Sequence, residues 1–294
     1  MVASAVAADR DVEERIQLIL RDRWGSYPQG AAALERLAEL LRGARRTRMP
    51  SLLVFGKPDI GKTTILKKFM PGREPVFDQG TGQGRAEVLA VEAPPVADEA
   101  RLYEAILDAI GAPVPRGGTV NLERATYAQL RRLDTRLLVI DETNNLVIGS
   151  AGAQRRTLAA LRRMANQLAL SFAFFGTAEA LNAIMSDPQV EGRSQPFRLS
   201  RLAHDADYAA IVRAVVAYLP LQNPSPCDDD LVGCVHELTA GSPGKTFRLL
   251  NAAAVRAIDD GFERITIDLV RSAAVVRHIQ TAGAMRRRSK AVAA

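Results

Sequence analysis

The sequence has 294 residues, 47% of them apolar, which is enough for one large domain with a smaller appendage. Its 39 Lys and Arg against 33 Asp and Glu give a formal net charge of +6, a balance that favours polyanionic partners, while aromatic residues at 5% show no interleaving with bases that would suggest an RNA-recognition sheet or a base-stacking platform. Cys227 and Cys234 are too few for a disulfide framework and stand at no metal-ligand spacing to His204, His236 or His278, and no apolar run reaches the length of a signal peptide or a membrane span, so the expectation is a cytoplasmic protein without a structural metal.

Along the chain, residues 10–21 and 30–42 repeat apolar residues at three and four and read as amphipathic helices, with "RWGSYPQ" as a turn between them. A basic hinge, "ARRTRMP", leads to "SLLVF", a short apolar run bounded by Pro50 and Gly56, as a buried strand should be. The next strands are "EVLAVEA", "RLLVID" and "SFAFFG", separated by the helical patterns "EARLYEAILDAI", "LERATYAQLRRL" and "QRRTLAALRRMANQLA". Fully apolar strands alternating with helices predict an α/β fold, a parallel sheet covered on both faces. The glycine-rich "DQGTGQGRA" reads as a surface turn. From about residue 205 the texture changes: "DYAAIVRAVVAYL", "DDDLVGCVHELTA", "GKTFRLLNAAAVRAI" and "IDLVRSAAVVRHI" are helical with no strand among them, which predicts a small all-helical lid over 205–280. Residues 281–294 form a basic tail expected to be flexible.

"GKPDIGKTT" fits the pattern G-x-x-x-x-G-K-[ST], with the apolar strand before it and a helical pattern after it that the motif requires. Gly56 and Gly61 let the backbone N–H groups of Lys57, Pro58's neighbours, Asp59 and Ile60 turn towards phosphates at the start of a helix. Lys62 would reach the β and γ phosphates, and the Thr63 hydroxyl, followed by Thr64, would ligate Mg2+. "RLLVIDET" supplies the acidic pair of an ATPase: Asp141 to hold the metal through water and Glu142 to polarise the attacking water. The glutamate, and the absence of a base-reading NKxD-like motif, favour ATP over GTP. Thr177, ending "FAFFGT", either senses the γ phosphate or caps the following helix.

With these pieces in order the chain resembles AAA+ ATPases, and more narrowly the TnsC/TniB family of transposon target-selection ATPases. The resemblance runs from about residue 20 to 270 and rests on "DRWGSYPQGAAALERLAELL" before the phosphate loop, "RLYEAILDAIGAPVP", "RLLVIDETNNLVIGS", "FFGTAEALNAI" and "QVEGRSQPFRLSRL". It implies an AAA+ core over 49–204, with 1–48 packed on it and a lid after it. Arg193 in "EGRSQPF" matches the arginine finger that enters the adjoining subunit's site, and Lys245 in "GSPGKTFRLL" falls near the second sensor of AAA+ lids, where arginine is usual. Trp24, Tyr27 and Pro28 match the stretch bordering the adenine, although a lone tryptophan at a helix junction also serves as a packing anchor. Many members carry histidine where this chain has Asn144. Related ATPases wind around duplex DNA, which makes Arg101, Arg116 and Thr119 the candidate phosphate contacts, against a reading in which "PRGGT" is a capped turn and Arg101 a solvated helix residue.

The resemblance therefore implies an ATP-dependent regulator of transposition that forms a ring or helical filament on double-stranded DNA. It would recruit a DDE-type transposase together with a TniQ-like targeting protein, and leave on ATP hydrolysis. A helicase-loader-like AAA+ ATPase acting on single strands is the alternative, and a signalling or scaffold NTPase a third reading. No acidic triad stands apart from the nucleotide motifs to supply strand-transfer chemistry.

Overall fold

The computed structural model describes residues 8, 10–21, 25–77, 80, 84–186 and 188–280; Trp24, the tip of the glycine-rich turn and the basic tail lie outside the described residues. The first half contains α1 (Val12–Leu20), α2 (Pro28–Arg42), β1 (Ser51–Phe55), α3 (Lys62–Phe69), β2 (Val76–Phe77), β3 (Gly84–Arg85), β4 (Val88–Glu92), α4 (Glu99–Ile110) and α5 (Thr119–Arg132). The second contains β5 (Leu137–Asp141), a 3-10 turn (Thr143–Val147), α6 (Ala151–Leu168), β6 (Ser171–Gly176), α7 (Ala178–Met185), α8 (Pro188–Glu191), β7 (Ser194–Arg198), α9 (Ala206–Tyr218), α10 (Asp229–Thr239), α11 (Pro243–Asp259) and α12 (Ile267–Arg271).

Five strands form a parallel sheet in the order β4-β5-β6-β1-β7. The four foreseen strands are apolar because helices cover both of their faces, and Leu138, Val139, Phe172 and Phe175 are fully buried. Their register sets Phe55 beside Gly176 and Glu92 beside Asp141, so the carboxyl ends of β1, β5 and β6 share one edge. Ligands of open α/β sheets bind at that edge. The fifth strand, β7, escapes sequence reading: "SQPFR" is half exposed, lacks an apolar run and contains Pro196. Proline is tolerated in such a strand because it lies at the edge. β2 and β3 pair antiparallel on either side of the glycine-rich turn.

Two compact units divide the chain. One holds residues 29–58 and 62–199, with a core in which Tyr103, Ile106, Leu130, Met164 and Phe172 pack between α4, α5, α6 and the strands. The other is helical and gathers the described residues up to 28, residues 59–61, and those from 200 onward. The division thus falls inside the 1–48 segment: α1 packs in the helical unit, where Ile19 joins Leu249, Leu250 and Ala253 of α11. The last foreseen helix is interrupted at Ser272, whose backbone is extended (ψ 142°).

The helical unit buries polar groups in pairs, as it must. The Tyr208 hydroxyl lies 3.2 Å from Thr239 Oγ1 and 3.0 Å from Thr246 Oγ1. Arg15, 1% exposed, donates to both carboxylate oxygens of Glu263 at 2.9 and 2.8 Å and to Pro220 O at 3.3 Å. These hydrogen bonds hold the Glu263 carboxyl below its usual range. A depressed carboxylate contributes stability above its unfolded pKa of about 4.3 and loses it as pH falls through the lower folded value. Glu263→Gln should therefore flatten the acid side of a melting-temperature profile below about pH 4. Arg15→Ala should cost about 3–5 kcal/mol by stranding the carboxylate. An unaltered acid limb in the glutamine variant would remove Glu263 from that role.

Candidate functional site

The loop between β1 and α3 takes its shape from two residues in the left-handed region, Gly61 (φ 102°) and Asp59 (φ 63°). Aspartate tolerates that region better than most side chains. Lys57 and Pro58 are exposed, Ile60 is buried, and Gly56 donates its N–H to Gly176 O at 3.2 Å, which docks the loop onto the end of β6. Lys62 opens α3, and its Nζ donates to the carbonyls of Gly56 (2.9 Å) and Lys57 (3.1 Å), so the loop curls around the ammonium.

One residue on, Thr63 Oγ1 lies 3.3 Å from Asp141 Oδ2. Burial pushes the Asp141 carboxyl up, opposed by the backbone N–H of Glu142, which donates to Asp141 Oδ1 at 2.8 Å, and by the Thr63 hydroxyl and Lys62. A hydroxyl and a carboxylate at this separation are a hard-oxygen pair suited to Mg2+, which keeps several waters of its own. Glu142 itself sits in the left-handed region (φ 50°), an uncommon and costly place for a non-glycine residue. Thr143 behind it is buried and donates to Phe175 O at 2.6 Å, fixing the turn against β6. Asn144 Nδ2 contacts Asn145 Oδ1 at 3.3 Å. Thr177 caps α7, accepting from the Ala180 N–H at 3.5 Å, and Thr64 is exposed on the first turn of α3.

Within the helical unit, the Tyr27 side chain is buried over Gly61, where an added Cβ would meet its hydroxyl at 2.8 Å. Burial pushes the Tyr27 hydroxyl up to about 12. Pro28 begins α2. Lys245 is half-buried on the first turn of α11, but the ion pair to the loop is made three residues on: Arg248 Nη2 lies 3.3 Å from Asp59 Oδ1. Ser242 Oγ and the Gly244 N–H also donate to the Asp59 carbonyl, at 2.7 and 3.2 Å.

The remaining candidates lie elsewhere. Arg193 precedes β7, its Nη1 donates to Asn166 Oδ1 at 2.8 Å and its carbonyl accepts from the Ser51 N–H at 2.9 Å. That is the amino end of β1, roughly 16 Å along the strand from Gly56 at about 3.3 Å per residue, so one chain does not bring Arg193 to its own loop. Arg101, Arg116 and Thr119 are all exposed. The Thr126 hydroxyl donates to Tyr103 O at 3.5 Å, and the short connection makes α4 and α5 antiparallel, so Arg101 and Thr119 sit at opposite ends of the pair, separated by roughly 14 Å of helix at about 1.5 Å per residue. Gly117 and Gly118 are left-handed turn residues before α5, and Asn121 Nδ2 donates to Arg116 O at 3.1 Å.

The family model for the bacterial TniB protein matches residues 15–204. The chain belongs to the TniB family. No curated protein matches this TniB-family sequence. Among solved structures it is similar to the Aeropyrum pernix ORC1 protein in complex with DNA (20% identity, 87% of this chain and 67% of that one, TM-score 0.60). It is also similar to the Aeropyrum pernix ORC2 protein in ADPNP-ADP complexes (18% identity, 91% and 72%, TM-score 0.59), and to a Walker-type ATPase of Pyrococcus abyssi (14% identity, 89% and 74%, TM-score 0.58). These likenesses show an AAA+ fold of the ORC type, with its helical C-terminal region. Among the described residues no helix of the TniB chain is long and apolar enough to cross a membrane.

Sequence reasoning missed Ser242, Gly244 and Arg248 in this TniB-family chain. The signal for the first two was the Ser-Pro-Gly opening of a helix, since Ser242 is the N-cap position and Pro243 the first helical residue.

Proposed function

We propose that this TniB-family chain is an ATPase that regulates DNA transposition by assembling on double-stranded DNA, recruiting a DDE-type transposase with a TniQ-like targeting protein, and dissociating after hydrolysis. The observation that carries the reading is the convergence of Lys62, Thr63, Asp141 and Glu142 on the carboxyl edge of the sheet in a TniB-family chain. Lys62 exchanges the loop carbonyls for the β and γ phosphate oxygens of ATP, and the loop N–H groups hold the remaining charge. Thr63 and, through water, Asp141 would hold Mg2+, which would supply charge neutralisation at the phosphates. Glu142 accepts a proton from the attacking water, and Thr177 stands at the end of the neighbouring strand, where the same hydroxyl that caps α7 reaches towards the reacting phosphate. The family resemblance assigns Tyr27 and Pro28 to the border of the base and Lys245 to the second sensor.

Arg193 acts in trans, which makes each subunit contact depend on ATP and gives a head-to-tail homo-oligomer, closed or helical. Exposed Arg101, Arg116 and Thr119 contact the DNA backbone without reading its sequence. The test is electron microscopy of the protein with duplex DNA, with and without a slowly hydrolysed ATP analogue. Filaments or rings that need both ligands are expected, and Lys62→Ala should abolish both the assemblies and nucleotide binding. Assemblies that form on single strands in preference would move the reading to a helicase loader, and assemblies indifferent to DNA to a scaffold NTPase.

A further inference from the structure

Arg193 is gripped by the helix that follows the acidic pair. Its backbone is fixed on both sides, the N–H donating to Val190 O at 3.2 Å and the carbonyl accepting from the Ser51 N–H at 2.9 Å. Its Nη1 donates to Oδ1 of Asn166, in the last turn of α6, at 2.8 Å. A guanidinium carries donors alone, so an amide can meet it only through the carbonyl, and Asn166 keeps an NH2 group, another donor, for any third partner. The opposite end of α6 is tied to the turn that Glu142 opens. Gln154 Nε2 donates to Val147 O at 2.8 Å and Gly149 O at 2.9 Å, and Ser150 Oγ caps the helix by accepting from the Ala153 N–H at 3.2 Å. Between these ends Ala160, Leu161, Met164 and Ala165 pack in the core beneath, so α6 is a rigid strut of 18 residues, roughly 27 Å at about 1.5 Å per residue.

We propose that Asn166 is a positioning residue for hydrolysis in the adjoining subunit: it holds the Arg193 guanidinium ready, on the same helix to which Glu142's turn is tied. The inference rests on the trans reading of Arg193 above. An arginine side chain has much rotamer freedom to lose on docking, and a partner that restrains it beforehand lowers that cost. Orientation matters as much as charge, since a misplacement of about 1 Å in the reacting assembly can cost on the order of 100-fold in rate. Asn166 is itself exposed, so its removal leaves the core beneath α6 as it is. Its contribution is therefore separable from folding.

The experiment measures ATP turnover by the full chain with duplex DNA, beside isolated-chain affinity for a fluorescent ATP analogue. Wild type, Arg193→Ala, Asn166→Ala and the double variant are compared, and Asn166→Ala is also mixed with Glu142→Gln chains. Asn166→Ala should lower turnover on the order of tenfold at unchanged affinity, and the double variant should be no slower than Arg193→Ala, because the two residues act as one unit. Glu142→Gln chains keep the Asn166–Arg193 pair but hydrolyse poorly, whereas Asn166→Ala chains keep a whole loop and acidic pair, so the mixture should regain turnover. Wild-type turnover in Asn166→Ala, with Arg193→Ala inactive, would overturn the proposal. So would a mixture that recovers nothing, since Asn166 would then act through α6 on its own subunit's acidic pair, or a double variant far slower than Arg193→Ala. Full turnover in Arg193→Ala would sink the trans reading itself, and this inference with it, a result that the control gives before Asn166 is compared.

Discussion

Replacing Glu142 with glutamine should lower ATP turnover about 10²- to 10⁴-fold while leaving ATP bound. The substitution keeps the size of the side chain and the left-handed turn in which residue 142 sits, and leaves the hydrogen bond from its N–H to Asp141 Oδ1 intact. What it removes is the proton acceptor. Thr63 and Asp141 stay where they are, because Asp141 closes β5 and Thr143 pins the following turn to Phe175 O. Phosphate release measured beside retained nucleotide separates the two effects, and DNA-bound assemblies of the variant should persist in ATP instead of falling apart. Turnover at the wild-type rate would move the water-activating role away from Glu142.

Arg193→Ala should reduce turnover on the order of a thousandfold or more, the usual worth of an arginine finger, with isolated-chain affinity for ATP close to wild type. The reason lies in position: Arg193 adjoins Ser51 at the amino end of β1, whereas the phosphate loop leaves its carboxyl end. A contribution to hydrolysis from there must be made to another subunit. Mixing supplies the decisive measurement. Arg193→Ala chains have intact loops and Lys62→Ala chains have intact fingers, so the two inactive proteins together should recover turnover. Undiminished hydrolysis in Arg193→Ala would reduce the residue to a partner of Asn166, and no recovery on mixing would remove the trans role.

The placement of Gly61, Lys62, Asp141 and Glu142 was legible in the sequence because its demands are local: glycine where the backbone is left-handed, lysine at a helix start, carboxylates at the end of an apolar strand. α4 spans the very stretch that the apolar period indicated. Thr177 left two readings open, and its hydroxyl is in cap geometry. What periodicity could not reveal is long-range pairing. Ser242 and Asp59 are 183 positions apart, and nothing in "GSPGKTFRLL" alone says that Arg248, rather than Lys245 one turn earlier, meets the loop. α1 is tied into the helical unit by Arg15 and Glu263 as well as by Ile19; the two charges are 248 positions apart, and both look like ordinary surface charges in the linear sequence. β7 was hidden for the opposite reason, since a strand at the rim needs no apolar run.

That rim strand also bears on how copies of the chain can meet. Leu199 turns its N–H inward to Phe55 O, so the two-residue alternation of the ladder turns the backbone of residue 196 outward, where a neighbour's strand would dock. Proline at that position takes no bond from β1 and removes a donor from the open side, and the exposed Arg198 adds charge beside it. Chains crowded along DNA by the assembly we propose would otherwise risk fusing their sheets into an irreversible aggregate. In that proposed assembly Pro196 would leave association to side-chain contacts rather than to strand pairing.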